Sequence, residues 1–468
     1  MNFKKCLIDL YNSGVNGMFW KAYENINKRK ECIPFIPSGA CSPIAVKNVF
    51  VQGSTDAVLA AWNHMDTLNK KENNIWSKTC SIEGIDFDAL TFVDDIVEII
   101  KGKLDLVLSS ARVEVFEMET RLNYKPPKCK LIVMNKREDI RDEIKDLWLE
   151  IVKDHEYLGT FVSEDGSRNT EINSRISATK SVCNEIVLIL KTTELSKVRL
   201  RYVKLLSNAC VDTKVKYGCA VWNALNEKQA KDMNDLKVNL LKRVLEMPFS
   251  TPTSAVMYEF GVTELDIEVE MERILLMCDI LKKTDSVAKA LLQVMLAKKV
   301  PGFCTDLFDA LKKFNIEEGD KLFEEEGKKV REFLKKKIVV MQCQKLGRKM
   351  LLESKSDRLL LHNFNFDGQP KRYLVELSFV EARVIFMLRC RMFPTKNNFQ
   401  GRWGKESECR YCSCIESDLH LFSCAGYRDL LEGINFDMFM SLNVTMDELS
   451  RGAKSLLKVK ERLEVVNN

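Results

Sequence analysis

The stretch Ala89-Leu90-Thr91-Phe92-Val93-Asp94-Asp95-Ile96-Val97-Glu98-Ile99-Ile100 decides how the first part of this chain is read. Two adjacent carboxylates interrupt two short apolar, β-branched runs, the pattern of a tight hairpin with Asp94-Asp95 at its tip. Adjacent acids held on rigid strands suit a divalent cation, because Mg²⁺ takes hard oxygen ligands and leaves room for phosphate oxygens. Two such ions roughly 3.5–4 Å apart can stabilise the attacking and leaving oxygens of a phosphoryl transfer. An ordinary surface turn gives the same local pattern, since Asp favours turns.

Outward from the hairpin, the order of elements reads as α+β. Met1 to Lys30 has apolar residues at helical spacing, broken at Asn12-Ser13-Gly14 into two short helices. Gln52-Gly53 precedes a helical pattern over Ala57 to Leu68. After the hairpin, Leu104, Leu108, Ala111, Val115, Met118 and Leu122 recur at steps of four and three, which predicts a helix with that stripe facing the core. Leu131 to Met134 and Tyr157 to Val162 read as strands, the second ended by a turn at Glu164-Asp165-Gly166-Ser167.

From Asn169 onward the pattern is almost wholly helical. Lys191, Lys197, Arg199, Arg201, Lys204, Lys214 and Lys216 face only Glu194 and Asp212 between Lys191 and Lys216. This fits one solvated face of an amphipathic helix, and it fits equally a face that tracks phosphates. Pro248 to Gly261 reads as a break between helices, Lys328 to Lys337 as a solvent-facing charged run, and Phe364 to Tyr373 as a linker. Near the end, Cys409, Cys412, His420 and Cys424 fall in the pattern C-x2-C-x7-H-x3-C. Two cysteines on a tight knuckle, followed by a His and a Cys, supply four ligands in tetrahedral reach, a closed structural Zn²⁺ site. Cys414 is a further thiol able to replace one of them.

Composition sets the bounds. The chain has 468 residues, 46% of them apolar and 30% charged, with a formal net charge of +5. That implies a soluble globular class of two to four domains, with nucleic-acid affinity resting on local clusters. No apolar run reaches roughly eighteen residues, and no secretory leader pattern begins the chain, so an intracellular protein without a membrane span is expected, in nucleus or cytoplasm. The sixteen cysteines show no disulfide framework and read as reduced thiols apart from the C-terminal cluster.

Taken in order, Gln52-Gly53, Phe92-Val93-Asp94-Asp95, Lys128-Cys129-Lys130 and Tyr157-Leu158-Gly159 resemble the reverse transcriptases of non-LTR (LINE-type) retrotransposons, with their helical thumb and C-terminal C-x2-C…H…C knuckle. The resemblance implies that Asp94 and Asp95 belong to the Mg²⁺ site of a polymerase palm. It places Gln52 and Gly53 beside nucleotide and template, and Lys128 near the triphosphate. Tyr157, Leu158 and Gly159 become a primer grip. Lys197, Arg199, Arg201 and Lys204 become the thumb face along a duplex backbone. The implied partners are an RNA template and a DNA primer. The implied divisions are a partial palm over 1–168, a helical thumb-like region over 169–250, a helical region over 251–400 and the knuckle segment over 401–468.

The sequence also departs from that pattern. Ser54-Thr55-Asp56-Ala57-Val58 follows the glycine where the family has C-P-L-S-P, and Lys125 and Cys129 stand where it has Asn and Thr. The family's earlier F-D-type strand, with a further metal-binding aspartate, has no match, because Asp9 belongs to the following helix. The expectation is an inherited fold, N-terminally truncated, in which the polymerase is inactive or incomplete. A non-catalytic nucleic-acid-binding protein and an unrelated helical scaffold are the rival readings. Oligomeric state leaves no mark in the sequence.

Overall fold

The computed structural model describes residues 3–28, 31–32, 35–36, 39–40, 42, 44–45, 80–87, 90–92, 95–120, 125–134, 149–192, 199–284, 286–317, 325–355, 366–399 and 407–467. Gln52, Gly53, Asp94, Lys197 and the 57–68 segment lie outside them. The chain is α+β and forms two compact units. One comprises Met1–Thr170 with Thr284–Ala297, and the other Glu171–Lys283 with Lys298–Asn468.

In the first unit the helices Phe3–Asn12 and Gly17–Lys28 form a hairpin. Trp20 Nε1 donates to the Leu7 carbonyl at 2.9 Å, and its ring meets Tyr11 edge-on. Every described strand pair is two-stranded. Leu90–Phe92 pairs antiparallel with Asp95–Val97 in the register Leu90↔Val97, Thr91↔Ile96, Phe92↔Asp95. The expected hairpin is there, but Asp95 opens its second strand opposite Phe92, and Val93 and Asp94 lie outside the described residues.

Glu98, just after that strand, accepts hydrogen bonds from Ser109 and from the Arg112 guanidinium on the Lys103–Thr120 helix. This polar anchor fixes the helix's rotation and corrects the expected core stripe. Leu106 and Ser109 are buried, whereas Leu104 and Met118 are 72% and 79% exposed, with Leu108 and Val115 exposed as well. The core side is decided by Leu106 against Val133, Ile100, Leu131 and Ile151, not by the longest apolar repeat. Lys130–Leu131 runs parallel to Glu150–Ile151, tied by the Lys130–Glu150 ion pair.

The single strand expected over Tyr157 to Val162 is instead a hairpin, Asp154–Tyr157 with Thr160–Ser163. Leu158 and Gly159 take φ of +48° and +74°, the left-handed pair that a two-residue turn of the I′ kind requires. The turn expected at Glu164–Ser167 follows: Gly166 N–H donates to the Ser163 carbonyl at 3.0 Å, and Ser167 N–H donates to the Asp165 carboxylate at 2.9 Å.

The second unit is helical. One core cluster takes residues from Cys183 through Val244, Phe260, Phe386 and Cys424 to Leu463, crossing both 250 and 400. Among the described residues, helix starts with capping boxes include Asn226 with Gln229, Ser378 with Glu381 and Thr445 with Glu448, which satisfy the first free backbone N–H groups. The break expected over Pro248–Gly261 is shorter. Pro252 leads directly into the Thr253–Phe260 helix, which Gly261 ends at φ +58°. A Cβ on Gly261 would lie 2.4 Å from the Gln369 backbone. That close approach shows why the expected linker is no linker: Phe366 and Tyr373 are buried, and Lys371 N–H donates to the Glu259 carbonyl at 2.8 Å.

Two buried ionic networks cross this unit. Lys237 lies 2.8 Å from Asp212 and 3.4 Å from Glu268, which also takes Lys216 at 2.7 Å and the Thr263 hydroxyl at 2.6 Å. Arg389 donates twice to Glu259, at 2.8 and 2.9 Å, and to the carbonyls of Phe439 and Met440, while the Tyr373 hydroxyl donates to the other Glu259 oxygen at 2.8 Å. Such pairs are tolerated in a core only when both charges are hydrogen-bonded.

Candidate metal centre and carboxylate hairpin

The C-terminal cysteines and histidine are brought together by short-range backbone bonds. Cys409 N–H donates to the Cys414 carbonyl at 2.6 Å and Ser413 N–H to the Cys409 carbonyl at 2.9 Å, with Ser413 at φ +58°. This closes the knuckle and turns Cys412 back toward Cys409. Tyr411 N–H points at Cys409 Sγ at 3.5 Å. Ser417 Oγ accepts from His420 N–H at 3.2 Å and starts the His420–Phe422 turn. Cys424 N–H then donates to the His420 carbonyl at 2.9 Å, so the last two ligands lie one turn apart.

The four ligand atoms all lie within 4.8 Å of one another. Cys409 Sγ and Cys424 Sγ are 3.7 Å apart, Cys412 Sγ and Cys424 Sγ 3.8 Å, and Cys412 Sγ and His420 Nε2 3.3 Å. A tetrahedral Zn²⁺ with Zn–S near 2.3 Å and Zn–N near 2.0–2.1 Å sets its sulfurs about 3.8 Å apart and sulfur to nitrogen about 3.5 Å. The donor set and the spacing fit. All four positions are filled by protein, so the group can hold an ion and offers it no open place for substrate. Burial pushes the Cys424 thiol up to about 12, and its hydrogen bonds with Cys409 and Cys412 act in the same direction. Metal binding there must therefore displace protons.

The knuckle rests on partners far off in sequence. Glu416 is fully buried and accepts from Lys396 N–H at 2.9 Å. Asp418, also buried, takes Asn398 Nδ2 at 2.8 and 2.9 Å on its two oxygens. Burial raises the Asp418 carboxyl to about 7 against the pull of Asn398 and Arg391. From the C-terminal helix, Arg462 donates to the Gly426 carbonyl at 2.8 Å and clasps Asp429 with both nitrogens. Tyr411 meets Tyr427 edge-on at 5.3 Å above Cys409 and Cys424. None of these partners is signalled by local spacing. The hydrogen-bonded ones stand 20 to 36 residues from what they hold.

In the first unit, Asp95 is exposed at the mouth of its hairpin. Among the described residues, Cys409, Cys412, His420 and Cys424 form the group of three or more donors in metal reach, and Asp95 belongs to none. Asp94, the other carboxylate of the expected pair, lies outside the described residues. Asp95 does lie close enough to Tyr157 to act on it. Burial raises the Tyr157 phenol and the Asp95 carboxylate raises it further, so the two hairpins share one surface region. Lys128 is exposed at the end of the Pro126–Lys128 turn. Leu158 and Gly159 form the turn already described.

The basic residues singled out in the second unit have different fates. Arg199 is buried, 2.9 Å from Glu246 and stacked 3.2 Å from the centre of the Phe379 ring. Lys204 donates to the carbonyls of Gly261 and Gly368 at 3.2 and 2.7 Å. Both act as internal ties. Arg201 is exposed. Among the described residues, no helix is long and apolar enough to cross a membrane. No known family model matches the chain, and no curated protein matches it.

Proposed function

We propose that this chain is a reverse-transcriptase-like protein of the non-LTR retrotransposon type that binds nucleic acid and holds one structural zinc ion, without a working polymerase centre. The observation that carries this reading is the Cys409–Cys412–His420–Cys424 group, whose spacings match a closed tetrahedral site. Zinc would be bound by those four residues alone and would brace the knuckle against the core; it supplies no chemistry to a substrate.

The reverse-transcriptase part of the reading is supported by the order of the sequence motifs and by the nearness of Asp95 to the Tyr157 hairpin. Binding is favoured over catalysis because the sequence departs from the family's motifs, with Ser54 to Val58 in place of C-P-L-S-P and with Lys125 and Cys129 in place of Asn and Thr. Two-metal transfer needs several carboxylates to hold both ions against phosphate repulsion. The partners would be an RNA template, a DNA primer or their duplex, held through phosphates.

The test uses the purified full chain. One zinc per chain is expected, together with salt-sensitive nucleic-acid binding that Asp94→Asn and Asp95→Asn leave unchanged. No RNA-templated primer extension should appear with Mg²⁺. Extension that depends on Mg²⁺ and vanishes in Asp94→Asn overturns the non-catalytic reading. Absence of both zinc and binding overturns the whole in favour of a helical scaffold.

A further inference from the structure

The helix Gly327–Lys355 carries ten basic residues against two acids, Glu332 and Glu353. Its apolar side is already used. Val330, Leu334, Ile338, Leu346 and Met350 are buried at intervals of four or eight residues, and the helix packs on the Thr253–Phe260 and Leu265–Lys282 helices. Three cations have acidic partners: Lys329 with Glu325, Arg331 with Glu272 through both nitrogens, and Lys345 with Glu264. Lys328, Lys335, Lys336, Arg348 and Lys349 are exposed. Lys337 lies 5.4 Å from the centre of the Phe333 ring. From Lys328 to Lys349 the helix rises about 31 Å.

We infer that the outward side of this helix is a phosphate track for double-stranded nucleic acid, an inference that rests on the nucleic-acid reading above and gives it a place. Lys328, Lys335 and Lys349 stand at multiples of seven residues and so fall along one side of the helix, and fixed cations on one side suit the closely spaced phosphates of a duplex. Single-strand sites add aromatic platforms on which bases stack, and Phe333 is the one aromatic residue in this helix. A basic helix that binds bilayers needs a continuous free apolar face; here Val330, Leu334, Ile338, Leu346 and Met350 are in the core, and the exposed Val340, Leu351 and Leu352 do not make one. The helix around Arg199, with Arg199 and Lys204 tied inward, offers far fewer free charges.

The test compares the full chain with the variant K335Q/K336Q/K337Q/R348Q/K349Q and with a control, R451Q/K458Q, on the C-terminal helix. Gln keeps helix propensity, so circular dichroism and zinc content should match in all three. Binding is read by fluorescence anisotropy on labelled 30-base-pair DNA and RNA duplexes, on a 30-nucleotide single strand, and on phosphatidylserine vesicles, across a salt series. The expected result is duplex binding whose log–log salt slope falls in size by about three to four in the track variant, with roughly 100-fold weaker affinity at fixed salt, and no change in the control. A preference between the DNA and RNA arms then names the duplex. If the wild type binds the duplex and the track variant binds it equally, or the control loses as much, this inference falls and the nucleic-acid reading stands. If the wild type binds no nucleic acid, both fall. Tighter binding to the single strand, or binding to vesicles alone, also overturns the track.

Discussion

Replacing Arg389 by Met should be among the most damaging single changes in the second unit. Arg389 is 2% exposed and Glu259 is fully buried. Deleting the guanidinium leaves the Glu259 carboxylate with the Tyr373 hydroxyl as its side-chain donor and removes the donor from the Phe439 and Met440 carbonyls. Those carbonyls belong to the last turn of the Phe436–Ser441 helix, where no intrahelical donor exists. Leaving one charge of a buried pair uncompensated costs about 3–5 kcal/mol, and each orphaned carbonyl adds about 1 kcal/mol. A loss of about 5–7 kcal/mol is therefore expected. Glu259→Met should be costly for the mirror-image reason. The double variant E259M/R389M removes both charges and should lose less than Arg389→Met alone. The assay is chemical denaturation followed by hydrogen exchange in peptides from the Phe379–Arg389 helix, run as a double-mutant cycle. Costs that simply add, with no coupling between the sites, would refute the reasoning, since two buried charges in contact cannot be independent.

Three further outcomes follow from the same structure. Chelation, or Cys424→Ala, should remove the zinc and lower the thermal midpoint without unfolding the whole unit, because Cys409, Leu421, Cys424 and Tyr427 are continuous with the main core; metal analysis beside circular dichroism checks this, and an unchanged midpoint on zinc loss contradicts the bracing role. Burial raises the Glu268 carboxyl, but Lys237, Lys216 and the Thr263 hydroxyl outweigh it and bring it down to about 2. A depressed carboxyl gives stability that is fully present above the unfolded value near 4.5 and is lost as pH falls toward 2; the stability gap between wild type and Glu268→Gln should narrow over that window in acid denaturation, and a gap that widens on acidification contradicts the sign. Gly261→Ala should cost more than Gly433→Ala: both sit at positive φ, +58° and +72°, but the first puts a Cβ 2.4 Å from the Gln369 backbone, whereas the second meets nothing within 4 Å. Urea midpoints of the two variants decide it, and equal losses would show that the Gln369 loop yields.

The sequence by itself determined what depends on neighbours in the chain. The paired N-terminal helices, the hairpin around Phe92 and Asp95, the turn at Gly166 and the knuckle pattern at Cys409 to Cys424 are all set by local periodicity, turn chemistry or ligand spacing. Spacing is enough for the metal group because a C-x2-C turn and a one-turn His-x3-Cys place donors without help from afar. Only the tertiary structure decided which side of an element is buried and which charges are free. The stripe Leu104–Leu108–Val115–Met118 has the better repeat, yet Glu98 holds Ser109 and Arg112 inward and turns it outward. Phe366 to Tyr373 has the composition of a linker, yet it docks where Gly261 lacks a Cβ. Arg199 and Lys204 have the spacing of a phosphate face, yet Glu246, the Phe379 ring and two carbonyls hold them, while Lys335 and Lys336 stay exposed. Charge and hydrophobicity along one chain say what a residue can bind; which partner it meets is fixed by contacts such as those 47 and 164 residues away, and no local pattern encodes those.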